Sequence, residues 1–304
     1  MSERTLKRLV GALAIVVALW VITSLVAGGG GGAVGPSGEI AQIFEGVSDS
    51  TIEAVRLSGT DSPVELRREG DAWTVNGYAS DSGTVARFLS LVSDLEVGDL
   101  AATNPANHDR MGVSQDSAES IELDVDEETR RLLIGKQGPR FATVYGRLPD
   151  QDQVYVLEGD LRIHVIRRLD DWRNKLMVAL DTTLVSRVEV ERDGEAYTVV
   201  RGDSTWTIED GGEVAITAVR DMLMELASLR ASAILEEGDS IAMLEPGGST
   251  IAYSESGEVL AEVRIGSGEA DRWGRVPSDS VIYRLPSFRV DRITPERSAV
   301  DPGS

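Results

Sequence analysis

Hydrophobic positions follow two periods along this chain, and one combination of them occurs twice. Val85, Phe88, Leu89, Val92 and Leu95 stand at i, i+3, i+4, i+7 and i+10, which lines one face of an α-helix. Val219, Met222, Leu223, Leu226 and Leu229 repeat that spacing. Each stripe follows a Trp-Thr-aliphatic strand fragment and a polar turn, with Trp73 leading the first and Trp206 the second. Ser80 or Asp81 supplies an N-cap for the first helix, whereas the matching position near Ala215 lacks one.

Period-two alternation predicts strands at 51–58, around Val64–Leu66, and at 121–125, 131–135, 142–148 and 153–157. The last four read as an antiparallel meander, answered by a second set at 250–254, 261–266, 271–276 and 280–285. Gly135 then corresponds to Gly266, Gly146-Arg147 to Gly274-Arg275, and Tyr155 and Leu157 to Tyr283 and Leu285. The pattern predicts an α+β protein of two tandem related modules, residues 45–180 and 181–293, each an antiparallel sheet packed with one amphipathic helix. At the junction, 161–166 alternates as a strand with His164 turned away from Leu161, Ile163 and Val165, and 169–179 reads as a helical segment. Residues 294–304 read as a frayed tail.

The first 44 residues differ. Leu9–Ala27 runs nineteen residues without a charge, a helix of about 28 Å and close to the thickness of a bilayer's hydrocarbon. The basic tail 1–8 places the N-terminus in the cytoplasm and the body outside. A cleaved signal peptide is the alternative, but its apolar core is usually shorter, roughly 7–15 residues. Residues 28–44 form a Gly-rich linker. Gly30, Gly32 and Gly35 fit a dinucleotide fingerprint in letters alone, because a membrane span precedes them where a strand is needed.

Charge narrows the partners. Arg4, Lys7 and Arg8 against Glu3 set residues 1–27 at +2 within a total of −21, so the remainder carries −23. So acidic a body repels phosphate backbones, which argues against nucleic acid. With no cysteine there is no disulfide, thiolate metal site or cysteine nucleophile. The two histidines, His108 and His164, lack the spacing of a zinc pair and any nucleophile elbow nearby. A calcium loop beginning at Asp124 fails because Thr129 and Gly135 occupy its sixth and twelfth positions. No catalytic, metal or cofactor residue is therefore designated. Trp73, Trp206, Tyr155 and Tyr283 at equivalent positions, Arg147 and Arg275 beside the paired glycines, and Trp172-Arg173 at the junction are the structural or interaction candidates. Trp172 is expected to pin the modules together.

Several short motifs resemble one family. They are the apolar N-terminal stretch, the Trp-Thr-Val strand before Asp81, and Asn104-Pro105 with Met111-Gly112-Val113. Ile134-Gly135, Val154-Tyr155 and Trp172-Arg173-Asn174-Lys175-Leu176 complete the set. Together they resemble the domain-of-unknown-function family 4340 over about residues 45–290, with Asn174 where that family tends to carry Asp. The resemblance implies a membrane-anchored bacterial envelope protein, often associated with gliding-motility-like ABC transporters. The expectation is a non-enzymatic accessory or scaffold whose partners are the membrane, through residues 9–27, and membrane proteins such as ABC-transporter subunits. The alternatives are a module binding envelope polysaccharide or peptide, which requires an exposed aromatic or concave polar site and would be favoured by Trp273, Tyr145 and Tyr283 at the surface, and a carboxylate-dependent hydrolase.

Overall fold

A computed structural model describes residues 40–41, 44–59, 62–209, 214–236 and 238–301. The stretch read as a membrane anchor and most of the linker lie outside the described residues. Within those described, no helix is long and apolar enough to cross a membrane.

In chain order the first elements are β1 (Ile52–Ser58), β2 (Val64–Glu69), β3 (Ala72–Val75), β4 (Tyr78–Ala79), α1 (Ser82–Ser93), β5 (Val97–Ala102) and α2 (His108–Met111). Then come β6 (Glu119–Val125), β7 (Glu128–Gln137), β8 (Thr143–Arg147), β9 (Val154–Glu158), α3 (Leu161–Val165) and β10 (Leu176–Val178). The second half holds β11 (Val185–Arg192), β12 (Glu195–Arg201), β13 (Trp206–Ile208), α4 (Ile216–Ala227), β14 (Leu229–Arg230) and β15 (Ala233–Leu235). It closes with β16 (Pro246–Ser254), β17 (Val259–Gly266), β18 (Arg272–Arg275), β19 (Ile282–Leu285), α5 (Ser287–Ile293) and α6 (Arg297–Val300). The architecture is α+β and dominated by antiparallel pairing.

The chain forms two compact units. One contains Asp94–Ala118 and Leu132–Leu161 with the described residues up to Gly46. Its strands run in the order β7-β8-β9-β5, and Met111, Val113 and Val154 form a small core with Tyr145 against it. Ile40 and Phe44, at the end of the stretch read as linker, are buried. The other unit contains Val47–Ser93, Glu119–Arg131 and everything from Arg162 onward. It holds strands in the order β4-β3-β2-β1-β6 and an eight-stranded sheet in the order β13-β12-β11-β16-β17-β18-β19-β15.

The two long helices begin differently. Asp81 Oδ1 accepts the Thr84 N–H at 2.9 Å and so caps α1, which buries Val85, Phe88, Leu89 and Val92; Leu95 lies beyond the helix and is only partly buried. Burial opposes the Asp81 charge, but the Thr84 N–H and hydroxyl, with Arg230 and Arg87 nearby, hold its carboxyl below 3.8. Ala215 has no side chain to cap α4. Its N–H donates instead to the Val300 carbonyl at 2.8 Å. The C-terminal residues thereby help fix the start of the helix.

A stability test follows from the α1 cap. Asp81→Ala is expected to lower the unfolding free energy by about 1 kcal/mol near neutral pH. Because the folded carboxyl titrates lower than the unfolded one, this contribution is present above the unfolded value of 3.8. It is lost as pH falls through the lower folded value. Urea midpoints of the variant and the natural chain should therefore converge in acid. A gap that persisted there would mean the carboxylate is not the source.

Three expectations are corrected, two at the junction and one at the tail. Residues 161–165 form a helix, α3, rather than a strand. His164 is consequently buried, its ring 5.5 Å from Phe88 and 6.2 Å from Trp172. The helical segment expected at 169–179 is a 3₁₀ turn at Leu169–Asp171 followed by β10. Apolar residues at 161, 163 and 165 satisfied a strand template over too short a span to exclude a single helical turn. Residues 294–301, expected to fray, are fixed in place: Thr294 and Val300 are fully buried, and Tyr197 donates its hydroxyl hydrogen to the Pro295 carbonyl at 2.7 Å.

Candidate functional site

The side chain of Arg173 organises the surroundings of the junction. The Ser80–Arg173 bridge and the Asn174 N–H to Ala79 carbonyl bond at 2.8 Å hold this segment against β4. The guanidinium is 4% exposed. It pairs with Asp170 at 3.1 Å and with Glu236 at 2.5 Å, and lies 4.5 Å over the Tyr78 ring. Its Nε is buried without an acceptor among the described residues.

Arg173 forms one wall of a cleft of about 840 Å³, within the size range of ordinary ligand sites. Arg168, Asp170, Glu236, Asp239 and Arg284 are also on its walls, and β15 contributes Ala233 and Ile234. The Arg284 guanidinium has no hydrogen-bond or ion-pair partner among the described residues, and its Nε is buried.

A second cleft of about 780 Å³ lies by Trp273, Arg275, Glu262 and Arg264. Its indole is 9% exposed and donates to the Leu244 carbonyl at 2.7 Å. A ring so deeply set forms a floor and offers no open face for stacking on a sugar. Tyr283 is buried too, donating to Asp279 at 2.7 Å, and burial followed by that carboxylate raises its phenol well above the usual value. Tyr145 is half-buried. The aromatic surface needed by a polysaccharide platform is thus not formed by Trp273 and Tyr283.

The remaining candidates separate. Trp73 and Trp206 are half-buried, and Trp206 packs against the core of the second half. Each faces an arginine across its hairpin, with Arg68 4.7 Å over Trp73 and Arg201 5.0 Å over Trp206. The signal was present in the sequence as an arginine five positions before each tryptophan. Trp172 is fully buried against Phe88 and His164. Its neighbour Arg173 pairs with Glu236 of the second half. Arg147 and Arg275 align in sequence but not in role: Arg147 is buried, whereas Arg275 is exposed 6.0 Å from the Trp273 ring. Tyr155 is buried.

The histidine and carboxylate candidates have other uses. His108 meets the Asp152 carbonyl at 2.9 Å, while Asp109 accepts from Ser114. Asp124, considered for calcium, accepts two hydrogen bonds from Arg56, at 2.7 and 2.8 Å, and one from Thr129. The Arg56 guanidinium holds its carboxyl low. Among the described residues no cluster of His, Asp and Glu is arranged to hold a metal ion.

These features define an α+β protein with arginine-paired sheet faces and a mixed-charge cleft at a sheet edge. The signature of the domain of unknown function DUF4340 matches residues 50–246, and the chain belongs to that family. No curated protein matches the chain, and no solved structure does.

Proposed function

We propose that this is a non-enzymatic accessory or scaffold protein, held in the cytoplasmic membrane by residues 9–27 with its folded body outside. Its place is in a membrane assembly of the ABC-transporter type. The uncharged Leu9–Ala27 stretch behind a basic tail supports the anchor and its orientation. The observation that carries the scaffold role is the treatment of the aromatic residues. Trp172 and Trp273 are buried and Trp73 and Trp206 are covered by arginines, so none of these four tryptophans offers an open ring face to a ligand.

The body is read as two tandem related modules. Four strands in the order β3-β2-β1-β6 recur as β13-β12-β11-β16, and β7-β8-β9-β5 recurs as β17-β18-β19-β15. A finer agreement supports the same reading. A Cβ on Gly146 would stand 2.2 Å from Leu157, and one on Gly274 2.5 Å from Leu285. Both glycines are set opposite a tyrosine in the neighbouring strand, Tyr155 and Tyr283. Duplication of one packed unit accounts for such a pair more simply than separate origins.

Affinity purification of the full-length chain from native membranes after mild crosslinking is the test. Stoichiometric recovery of transporter subunits is the expected result. Recovery of the chain alone counts against the accessory role and turns attention to ligand binding.

A further inference from the structure

The sheet edge beside Arg284 has the form of a peptide-binding site. β15 is the terminal strand of its sheet and pairs with β19 through Ala233–Arg284, Ile234–Tyr283 and Leu235–Ile282. In an antiparallel strand the backbone groups of alternate residues point to opposite sides. A share of the β15 N–H and C=O groups is therefore directed away from β19. Ala233 and Ile234 border the cleft of about 840 Å³, so there is room beside this edge for another extended chain.

Charge favours one feature of that chain. The remainder of the protein is strongly acidic, yet the cleft sets Arg168, Arg173 and Arg284 against Asp170, Glu236 and Asp239. This balance removes locally the repulsion that a carboxylate meets elsewhere, and distant charges are screened beyond about 8 Å at physiological salt. Arg173 is occupied by Asp170 and Glu236. Arg284 has no such partner among the described residues, and its buried Nε–H lacks an acceptor. A guanidinium without a partner at the wall of a cleft can take an acceptor brought from outside.

We propose that this cleft takes an extended peptide, which adds to β15 as a further strand and presents a carboxylate to Arg284. Backbone pairing supplies sequence-tolerant affinity, and the guanidinium supplies register. The carboxylate belongs either to a C-terminus or to an acidic side chain. The inference goes beyond the accessory role and does not depend on the anchor or on any transporter.

The full-length chain in detergent would be titrated calorimetrically with three probes: a short Val/Thr peptide with a free C-terminal carboxylate, its C-terminal amide, and that amide carrying a central glutamate. The free acid is expected to bind, and Arg284→Gln to weaken it about tenfold to a hundredfold, as for hydrogen bonds to charged groups. Binding of the glutamate amide as well would place the carboxylate on a side chain; its failure would place it at a C-terminus. A fourth probe, the free acid N-methylated at alternate backbone positions, should lose binding without any change to the protein. The proposal is overturned if no probe binds at millimolar concentration, if Arg284→Gln leaves affinity unchanged, or if N-methylation has no effect. These outcomes are independent of the crosslinking result, so either proposal can fail alone.

Discussion

Trp172→Ala is expected to lower the unfolding free energy by about 3–5 kcal/mol, the range for truncating a buried aromatic residue. The indole is fully buried, edge-on to Phe88 at 5.4 Å and 87°, with the Arg167 guanidinium 5.7 Å from its ring. Its backbone carbonyl also accepts the Asp81 N–H at 2.8 Å, so the residue touches both the buried face and the entry of α1. Alanine would leave a cavity that Phe88 and His164 cannot readily fill while α1 remains capped. Trp172→Phe separates packing from polarity. The indole N–H has no acceptor among the described residues, so removing it relieves a buried donor while most of the ring contact stays. Phenylalanine should therefore cost less than half as much as alanine. Urea denaturation of the three proteins, followed by a probe other than tryptophan fluorescence, gives the comparison. Equal losses for the two variants would show that the N–H is satisfied in solution and that losing its hydrogen bond costs as much as losing the ring.

The elements most legible in the sequence were those with long, clean periods. The stripes Val85–Val92 and Val219–Leu226 became the buried faces of α1 and α4. The alternating runs became β6–β9 and β16–β19, with ends moved by a few residues. Side-chain position on these elements follows from geometry that depends only on residue number. Legibility failed at 161–179, where one helical turn, a 3₁₀ turn and a three-residue strand are each shorter than the window that distinguishes their periods. It failed again at 294–301, whose position depends on distant partners such as Ala215, Tyr197 and Arg192 rather than on local pattern.

The cleft was invisible for the same reason. Arg173 stands out in the sequence beside Trp172, but its partner Glu236 is 63 positions away and Arg284 is farther still. Only the folded chain brings these charges together. The aligned pair Gly146-Arg147 and Gly274-Arg275 shows the limit from the other side. The glycines retain a common packing constraint against Leu157 and Leu285, while the arginines have diverged in environment. A shared letter therefore identified a shared backbone position without identifying a shared role.

That divergence carries the second large prediction. Arg147 Nε donates to the Val113 carbonyl at 2.9 Å, and Nη1 to those of Leu148, Pro149 and Gln151 at 3.2, 3.0 and 2.7 Å. The side chain is 5% exposed, and no carboxylate among the described residues bonds to it. Burial accordingly lowers its pKa against the opposing pull of Asp152 and Asp150. A charge enclosed in this way is held by carbonyl dipoles, and one fork fastens the segment just after α2 to the turn at 148–151. Arg147→Met keeps most of the apolar stem but leaves several carbonyls without donors, so it should lower the unfolding free energy by about 3–5 kcal/mol. Lysine retains the charge but cannot reproduce the planar fork, so Arg147→Lys should recover only part of the loss. Arg275→Met, at the aligned exposed position, should stay within about 0.5 kcal/mol of the natural chain. Denaturant titration of the three variants checks the set. If Arg147→Met and Arg275→Met cost the same, water satisfies the freed carbonyls and the buried fork does not fasten the turn.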